Sequence, residues 1–421
     1  MRLQQLLCLF VALAAGQTPV DSVRDWWQWG GPQRDFSAEA PVLDSSWDVG
    51  QGPLEVFRHE LSGGHSAVTV AAGRIFVAHG RERVERVSAL SESGQVLWER
   101  EHRVGYASGN ASWDGPHAAP VVVGQTVTTV AIDATVRCWA VEDGRLLWQR
   151  DLGADHGVEV PQSGYAASPL VIDGALLLPG LGKRAGGLSR TEAPGLGVLK
   201  LDLGTGKTIW QKESFPSSHA SPVGLRIDGR ELAVFHGMEK LVALDPVSGE
   251  RLWSFDVRSG AADNVSFTPL WHAPTRTLYL SHAYDRLGAQ ALRLDARGSA
   301  PERLWNNTRL KVEHGNGALW DGMLLASHGG SPGFLVALDA ATGELLWKRR
   351  FPKSTLLTVR EQGVLILDEE GTVHLARPSR TGPDVAAKLD VLEELSWTVP
   401  TLVGRTLYLR STDELVALRL P

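Results

Sequence analysis

Eight of the 13 histidines recur at two kinds of position beside short strand-like segments. Four of them directly precede such a segment, and four directly follow the next one. The first set is His65, His117, His219 and His314, and the second set is His79, His236, His282 and His328. Asp133 and Asp368 hold the second kind of position in two further units, and Asp285 closely follows His282.

These residue types indicate two kinds of ligand chemistry. A neutral imidazole is a good ligand for a divalent transition metal, and a protonated one attracts anions. A face that carries many histidines and a few carboxylates is therefore a candidate ligand site. The alternative is structural: turns need polar groups to bond the neighbouring backbone, and repeated histidines are then copies of one structural residue.

Motifs for nucleophilic catalysis are absent from the sequence. There is no G-x-S-x-G elbow, no H-E-x-x-H, and only one cysteine outside the first 16 residues. The carboxylate pairs Glu369-Glu370 and Glu393-Glu394 are adjacent in sequence, which in a strand directs them to opposite faces. The sequence gives no support for a hydrolase.

A repeated phrase supplies the elements that must position the histidines. A short alternating strand runs into a turn rich in Gly, Asp, Ser or Thr, and a second strand carrying a tryptophan follows. These landmark tryptophans recur at intervals of roughly 40 to 60 residues, which suits one propeller blade per unit. They are Trp98, Trp148, Trp210, Trp253, Trp305 and Trp347. We predict a structural role for them, with each ring filling the wedge between neighbouring blades.

Two more strand-like segments precede each phrase, so that each unit has four antiparallel strands. Counting the inner strands predicts an all-β, eight-bladed propeller, with seven blades as the alternative because the unit at 357–392 lacks the landmark tryptophan. Residues 54–61 supply the outer strand that the last unit (414–421) lacks, so the two termini are expected to close the ring in one blade.

Both kinds of histidine position fall on one face of such a propeller, where inner strands begin and second strands end. The longest loops, at 102–116, 152–165 and 179–197, lie on the same face and carry the aromatic residues Tyr106, Trp113 and Tyr165. These aromatic rings are expected either to stack on a ligand or to pack over the channel mouth.

The first residues predict export. A basic residue, Arg2, precedes an apolar run and a small-residue stretch, which is typical of a secretory signal peptide at 1–16. We divide the rest into an N-terminal extension at 17–52 and the propeller at 53–421. A secreted or periplasmic protein without a later transmembrane segment is expected. The net charge of -6 disfavours nucleic acid as a partner.

The repeat resembles that of a known family. The phrases VALDAATGELLW (336–347) and KLDLGTGKTIW (200–210) resemble the repeat of the pyrroloquinoline-quinone (PQQ) propellers, including its tryptophan-docking position. The segment DWWQWGGPQRDFSAE (25–39) is similar to the opening of exported bacterial members. The resemblance implies one of two branches: calcium- and quinone-dependent alcohol dehydrogenases, or a non-enzymatic branch that includes the propeller subunit of the outer-membrane protein assembly machine.

The sequence departs from both branches. Many of the dehydrogenases carry a vicinal disulfide, which a chain with Cys138 as its one mature cysteine cannot form, and no Glu-Asn-Asp set for calcium is evident. The assembly subunit is lipid-anchored, whereas Cys8 is poorly placed for lipid attachment.

We therefore expect an exported, non-enzymatic scaffold that binds a protein, a peptide or a carbohydrate and has no cofactor. The first alternative is a quinoprotein oxidoreductase with PQQ and calcium, in which Asp133, Asp285 or Asp368 would act as the base. The second is a periplasmic protein that binds metal through the histidines.

Overall fold

The computed structural model describes residues 25–45, 47, 52–156, 160, 163–179, 197–213, 218–257, 265–283, 286–295 and 301–421. The predicted signal peptide and Asp285 lie outside these residues.

The described chain forms an eight-bladed β-propeller, so the prediction of eight blades is confirmed and the seven-blade alternative is wrong. Strands β1 (Ser37–Ala38) and β2 (Leu54–Glu60) precede the first blade. Blades 1 to 4 then follow in chain order, each with four antiparallel strands. They are β3 (Thr69–Ala71), β4 (Arg74–Arg81), β5 (Val84–Ser91) and β6 (Val96–Arg103); β7 (Val121–Val123), β8 (Thr126–Val130), β9 (Thr135–Ala140) and β10 (Leu146–Asp151); β11 (Leu170–Ile172), β12 (Ala175–Pro179), β13 (Val198–Asp202) and β14 (Thr208–Lys212); β15 (Val223–Ile227), β16 (Arg230–His236), β17 (Lys240–Leu244) and β18 (Arg251–Asp256).

Blades 5 to 8 continue the pattern, and the last one borrows β2. They are β19 (Leu270–His272), β20 (Thr277–Ser281), β21 (Ala289–Arg293) and β22 (Glu302–Asn307); β23 (Gly317–Trp320), β24 (Met323–His328), β25 (Phe334–Asp339) and β26 (Leu345–Arg350); β27 (Ser354–Val359), β28 (Gly363–Asp368), β29 (Thr372–Ala376) and β30 (Val385–Asp390); β31 (Thr401–Val403), β32 (Thr406–Arg410) and β33 (Glu414–Arg419) with β2. One short helix, α1 (Leu152–His156), and 3-10 turns at Ala111–Trp113 and Ala273–Thr275 lie between strands.

The first strand of each blade is its inner strand and borders a central channel, where inner strands contact each other between blades 1 and 2, 3 and 4, 5 and 6, and 6 and 7. Alternating residues of each blade face its two neighbours, so the core lies between blades; Phe76 and Val87 of blade 1, for example, pack against Val127 and Trp139 of blade 2. We call the face at which inner strands begin and second strands end the mouth face. No helix in the described ranges is long and apolar enough to cross a membrane.

The predicted closure of the ring is present. Strand β2 pairs antiparallel with β33, from Leu54 opposite Arg419 to Glu60 opposite Glu414. Blade 8 therefore combines β2, from early in the sequence, with β31, β32 and β33 from its last part, which closes the ring.

Tryptophans on the outer strands lock neighbouring blades together, as expected from the repeat. The indole N–H of five of them donates to a backbone carbonyl in the next blade, and the rings of Trp98, Trp148, Trp210 and Trp305 cover a glycine of that blade's turn. The hydrogen bonds are Trp98 to Val141 (2.9 Å), Trp148 to Leu203 (2.9 Å), Trp210 to Val247 (3.0 Å), Trp305 to Ala340 (3.1 Å) and Trp347 to Ser379 (2.8 Å). Trp253 is buried, as are Trp98, Trp305 and Trp347, but the turn it faces, at 296–300, is not described.

Blades 7 and 8 have no landmark tryptophan on their outer strands, and other side chains hold its position. In blade 8, Phe57 of β2 packs on Gly94 in the turn of blade 1 and so takes the place of a tryptophan. In blade 7 that place is held by Ala387, which pairs with Leu375.

Residues 25–45, which we call the N-terminal segment, run across the channel end opposite the mouth. Trp26 bridges to Val70 of blade 1, and Ser37–Ala38 adds to blade 7 as a strand parallel to β27. Arg34 donates to the carbonyl of Pro169 at 2.8 Å in blade 3, and the Asp44 N–H donates to the carbonyl of Pro421. Part of the predicted extension therefore closes one end of the channel.

Removal of the closing strand should destabilise the whole ring. We expect deletion of residues 53–61 to lower the melting temperature by on the order of 10 °C, because β33 loses its partner and Gly94 loses Phe57. Thermal unfolding followed by circular dichroism measures this. Leu54→Ser, an exposed side-chain change that keeps the backbone pairing, is the control; wild-type melting of the deletion would contradict closure.

Substitution of a glycine that lies beneath a landmark tryptophan should lower the free energy of unfolding more than the same substitution at a matched turn glycine. Gly144 and Gly174 both have φ of +66°, but an added Cβ at Gly144 would lie 2.6 Å from the Trp98 ring, whereas nothing lies within 4 Å of one at Gly174. Gly174→Ala should cost about 1 to 2 kcal/mol for the left-handed backbone, and Gly144→Ala about 1 to 3 kcal/mol more for the overlap. Urea unfolding compares the two, and equal losses would contradict the docking.

Candidate functional site

Four of the predicted histidines converge on one cavity in the channel, just inside the mouth face. His65, His117 and His219 lie four residues before their inner strands begin, and His314 lies three residues before β23. We call this place in each blade the rim position; in blades 3, 5 and 8 it holds Ala166, Ser266 and Trp397. The cavity measures about 120 Å³ and is lined by Trp29, His65, Trp113, His117, Ser163, Ala166, Ser168, His219, Ser221, Ser266, Thr268, His314, Gly315 and Trp397.

The rings at the mouth form one continuous aromatic cluster. The His65 ring stacks between His117 and Trp397, with centroids at 5.6 and 5.3 Å. His314 packs on the other side of Trp397 at 4.7 Å and against the edge of Trp113 at 4.8 Å. We call these five residues the mouth cluster.

A long loop places Trp113 in this cluster. The loop between β6 and β7 makes a 3-10 turn whose cap, the Asn110 carboxamide, accepts the Ser112 N–H at 3.0 Å. The Asp114 carboxylate accepts the N–H of Ser108 at 3.0 Å and the N–H of Glu82 at 2.7 Å. These bonds tie the loop to blade 1, so Trp113 is held in position by the fold.

A hydrogen bond defines the tautomer of His65. Its Nε2 lies 2.8 Å from the carbonyl oxygen of Ser112. Because a carbonyl can only accept, this Nε2 carries the proton, and in the neutral ring Nδ1 is then the acceptor. His117 has two backbone partners, with Nε2 3.1 Å from the carbonyl oxygen of Trp113 and a second bond to the backbone of Ser163.

Burial keeps all four rim histidines uncharged at neutral pH. It lowers the pKa of His65, His219 and His314 to about 4 and that of His117 to about 3. The positive charge of Arg410 adds to the effect at His65. The rim therefore presents neutral imidazoles to a ligand.

Arg410 is a buried cation that contacts the loop carrying His65. Its guanidinium donates to the carbonyls of Gly63, Gly64, Ser66 and Ala78 at 2.7 to 3.0 Å, which fixes the loop that carries His65. Burial lowers its pKa to about 9, so it stays charged at neutral pH.

The N-terminal segment forms the floor of the cavity. The Trp29 indole N–H donates to Thr268 Oγ1 at 3.0 Å, and its ring packs edge-on against Phe36 with centroids 5.3 Å apart. Since Trp29 lies beneath the rim, the cavity opens toward the mouth and is closed below.

The other four histidines do not line the cavity, so the single rim expected from the sequence divides into two sets. His79 is buried within blade 1, where its Nδ1 contacts Ser62 Oγ and its Nε2 contacts Ser88 Oγ, both at 2.9 Å. His236 and His282 share a buried hydrogen bond of 2.7 Å between blades 4 and 5. His328 Nδ1 accepts the Lys311 N–H at 3.1 Å.

The aspartates of the sequence analysis also lie away from the cavity. The Asp133 carboxylate accepts the N–H groups of Gly105 and Thr135. Asp368 forms a buried pair with His374 at 2.9 Å. Asp285 is outside the described residues.

The donor set does not suit a metal ion or the calcium–quinone group. Within the described residues no three His, Cys, Asp or Glu side chains are grouped to hold a metal. Calcium prefers carboxylate and carboxamide oxygens, and in the part of the chain that the structure describes no side chain lining the cavity carries either group.

Sequence reasoning missed Trp397 and Trp29 as parts of this site. A signal for Trp397 existed: Trp397-Thr-Val-Pro aligns with His219-Ala-Ser-Pro at the start of an inner strand. No local signal marks Trp29, because its place depends on how the N-terminal segment crosses the channel.

Comparison with known proteins agrees with this fold. Residues 42–191 and 194–297 match the sequence model of a family described as outer membrane protein assembly factor BamB. The chain belongs to this family. Escherichia coli (strain K12) BamB is 32% identical over 94 residues, which cover 22% of this chain and 23% of that protein, so the match spans only part of the relative.

Solved structures share the propeller at low sequence identity, which supports the fold alone. BamB from Moraxella catarrhalis is 17% identical with a TM-score of 0.59, covering 87% of this chain and 98% of that one. A europium-containing methanol dehydrogenase is 12% identical with a TM-score of 0.71, covering 95% and 99%. The quinohemoprotein alcohol dehydrogenase from Comamonas testosteroni is 11% identical with a TM-score of 0.67, covering 96% and 82%.

Acid should destabilise this BamB-family propeller through its rim histidines. Their pKa values are lowered on folding, so between pH 6.5 and 4 the unfolded chain binds more protons than the folded one, and stability is lost as the pH falls. Each such histidine contributes up to about 1 kcal/mol per pH unit. We expect His117→Gln to reduce the slope of the unfolding free energy against pH between pH 6.5 and 5 by that amount. An unchanged slope would refute the lowered pKa of His117 in the folded protein.

Proposed function

We propose that this protein is an exported scaffold that holds another protein on the mouth face of its propeller. Membership in the BamB family supports a scaffold role in general. The export part of the proposal rests on the signal-peptide pattern at residues 1–16 and on the family. The partner and its docking face are proposed from the geometry of the mouth.

The mouth cluster is the observation that carries the proposal. Trp113, Trp397, His65, His117 and His314 are each partly exposed and in ring contact with one another. Tryptophans grouped at the centre of a concave surface are the residues that contribute most binding energy in protein interfaces. Their surroundings are polar loops, which suits the rim of an interface.

Rigidity supports the same conclusion. Each rim residue directly precedes an inner strand, and inner strands are held on both sides by other blades. A partner that binds there meets a surface that is already ordered, so little conformational entropy is lost on binding.

Site-specific crosslinking tests the proposed docking face. A photoreactive amino acid replaces Ser112, which is exposed beside Trp113, in the full chain expressed in an exporting host. We expect a discrete protein adduct at this position. The same amino acid at Gln125, exposed in the turn between β7 and β8 on the opposite face, should give none.

Variants connect the adduct to the mouth cluster. Trp397→Ala combined with the Ser112 crosslinker should weaken the adduct at least about tenfold, because a central tryptophan contributes roughly 2 kcal/mol or more to an interface. Trp271→Ala removes a partly exposed tryptophan from the opposite end of an inner strand and should change little. Equal adducts from positions 112 and 125, or none at 112, would refute the proposal.

A further inference from the structure

The central cavity is large enough for one aromatic ring and is closed at one end. Its volume of about 120 Å³ is far more than one water molecule needs. The opening is at the mouth cluster, and the Trp29 ring lies at the closed end. A group that enters must therefore come from the mouth face and stop above Trp29.

The polar groups of the wall are largely occupied by the fold itself. Ser168 Oγ accepts the Ala119 N–H and Ser221 Oγ accepts the Ser168 N–H, both at 2.9 Å. Thr268 Oγ1 accepts the Trp29 indole, and Ser266 Oγ donates to the Glu313 carbonyl at 2.7 Å. The wall thus offers ring faces together with the O–H groups of hydroxyls that are already fixed as acceptors, Ser168, Ser221 and Thr268, which suits an aromatic guest with one polar atom.

One acceptor remains at the mouth. The His65 tautomer places the proton on Nε2, so the ring keeps the Nδ1 lone pair. A guest with one N–H or O–H on its ring can donate to this acceptor while the ring stacks.

Charge discriminates against ions. None of the described side chains that line the cavity is an acid, an arginine or a lysine. Arg410, buried behind His65 with its guanidinium on backbone carbonyls, repels a cation, and the described lining holds no cationic side chain that could pair with an anion. Burial of an unpaired charge in such a place is costly.

We infer that the cavity receives one uncharged aromatic side chain of the phenol or indole kind from the bound partner. This inference rests on the proposed docking of a partner at the mouth face. It adds what that docking requires of the partner: a tyrosine or tryptophan that projects from its surface into the channel.

Small probes test the cavity without the partner. We expect p-cresol and 3-methylindole to bind the purified full chain with 1:1 stoichiometry in calorimetry, and tetramethylammonium and cyclohexanol to bind at least about tenfold more weakly. Saturable binding that favours tetramethylammonium, or no saturable binding of either aromatic probe, overturns the inference.

A cavity-filling variant places the probe. Ala166 is the small residue of the rim, and Ala166→Trp copies the residue at the rim of blade 8 into blade 3. We expect p-cresol affinity to fall about tenfold or more in this variant while thermal melting stays close to that of the wild type. Trp271→Ala, outside the cavity, should bind within about twofold of the wild type. Undiminished p-cresol binding in a folded Ala166→Trp protein overturns the inference.

The crosslinking assay separates this inference from the docking itself. If Ala166→Trp weakens the Ser112 adduct, the partner inserts a side chain as inferred. If the adduct is undiminished, docking stands and insertion is refuted. If the wild type gives no adduct, the docking proposal is refuted. The inference that a partner inserts a side chain is then refuted too, even when p-cresol binds.

Discussion

Closure of the ring by β2 on β33 is the constraint on which the other features depend. The rim positions belong to blades that are far apart in sequence, and they face one another only because the eight sheets return to their starting point. The interface between blades 8 and 1 resembles those between other blades, because Phe57 packs on Gly94 as Trp98, for example, packs on Gly144. An open ring would let blade 8 separate from blade 1, which would move Trp397 away from His65 and open the mouth cluster.

Identical residue types have different roles at the two ends of the first hairpin. A histidine before the inner strand borders the channel, whereas one at the end of the second strand points into the packing between sheets, where His236 bonds His282. Burial lowers the pKa values of His65 at the rim and of His79 and His236 in the buried set, so these rings are neutral at pH 7. The rim histidines line the cavity, so their neutrality sets its chemistry.

The fold could be predicted from the sequence because its signals are local and repeated. In each repeat the alternating strand, the turn glycine and the tryptophan that follows occur within about 15 residues, and the number of repeated units predicted the number of blades. The site was predicted in part: eight histidines were expected on one rim, and four of them line the cavity. Of the others, His79, His236 and His282 are buried and His328 is partly exposed. Side-chain direction at a strand end depends on the packing of the neighbouring blade, which the sequence does not reveal. Trp29 and Arg34 act through contacts with residues more than 100 positions away, such as Thr268 and Pro169.

The central claim is that His65, His117, His219 and His314 share one cavity at which a ligand binds. Diethyl pyrocarbonate labelling, quantified for each histidine by mass spectrometry with and without saturating 3-methylindole, tests it most directly because the reagent attacks neutral imidazole. The account predicts that these four react at neutral pH, that His79, His236 and His282 resist, and that 3-methylindole protects the four rim histidines together. Uniform labelling of all seven, or rim labelling that 3-methylindole leaves unchanged, would contradict it.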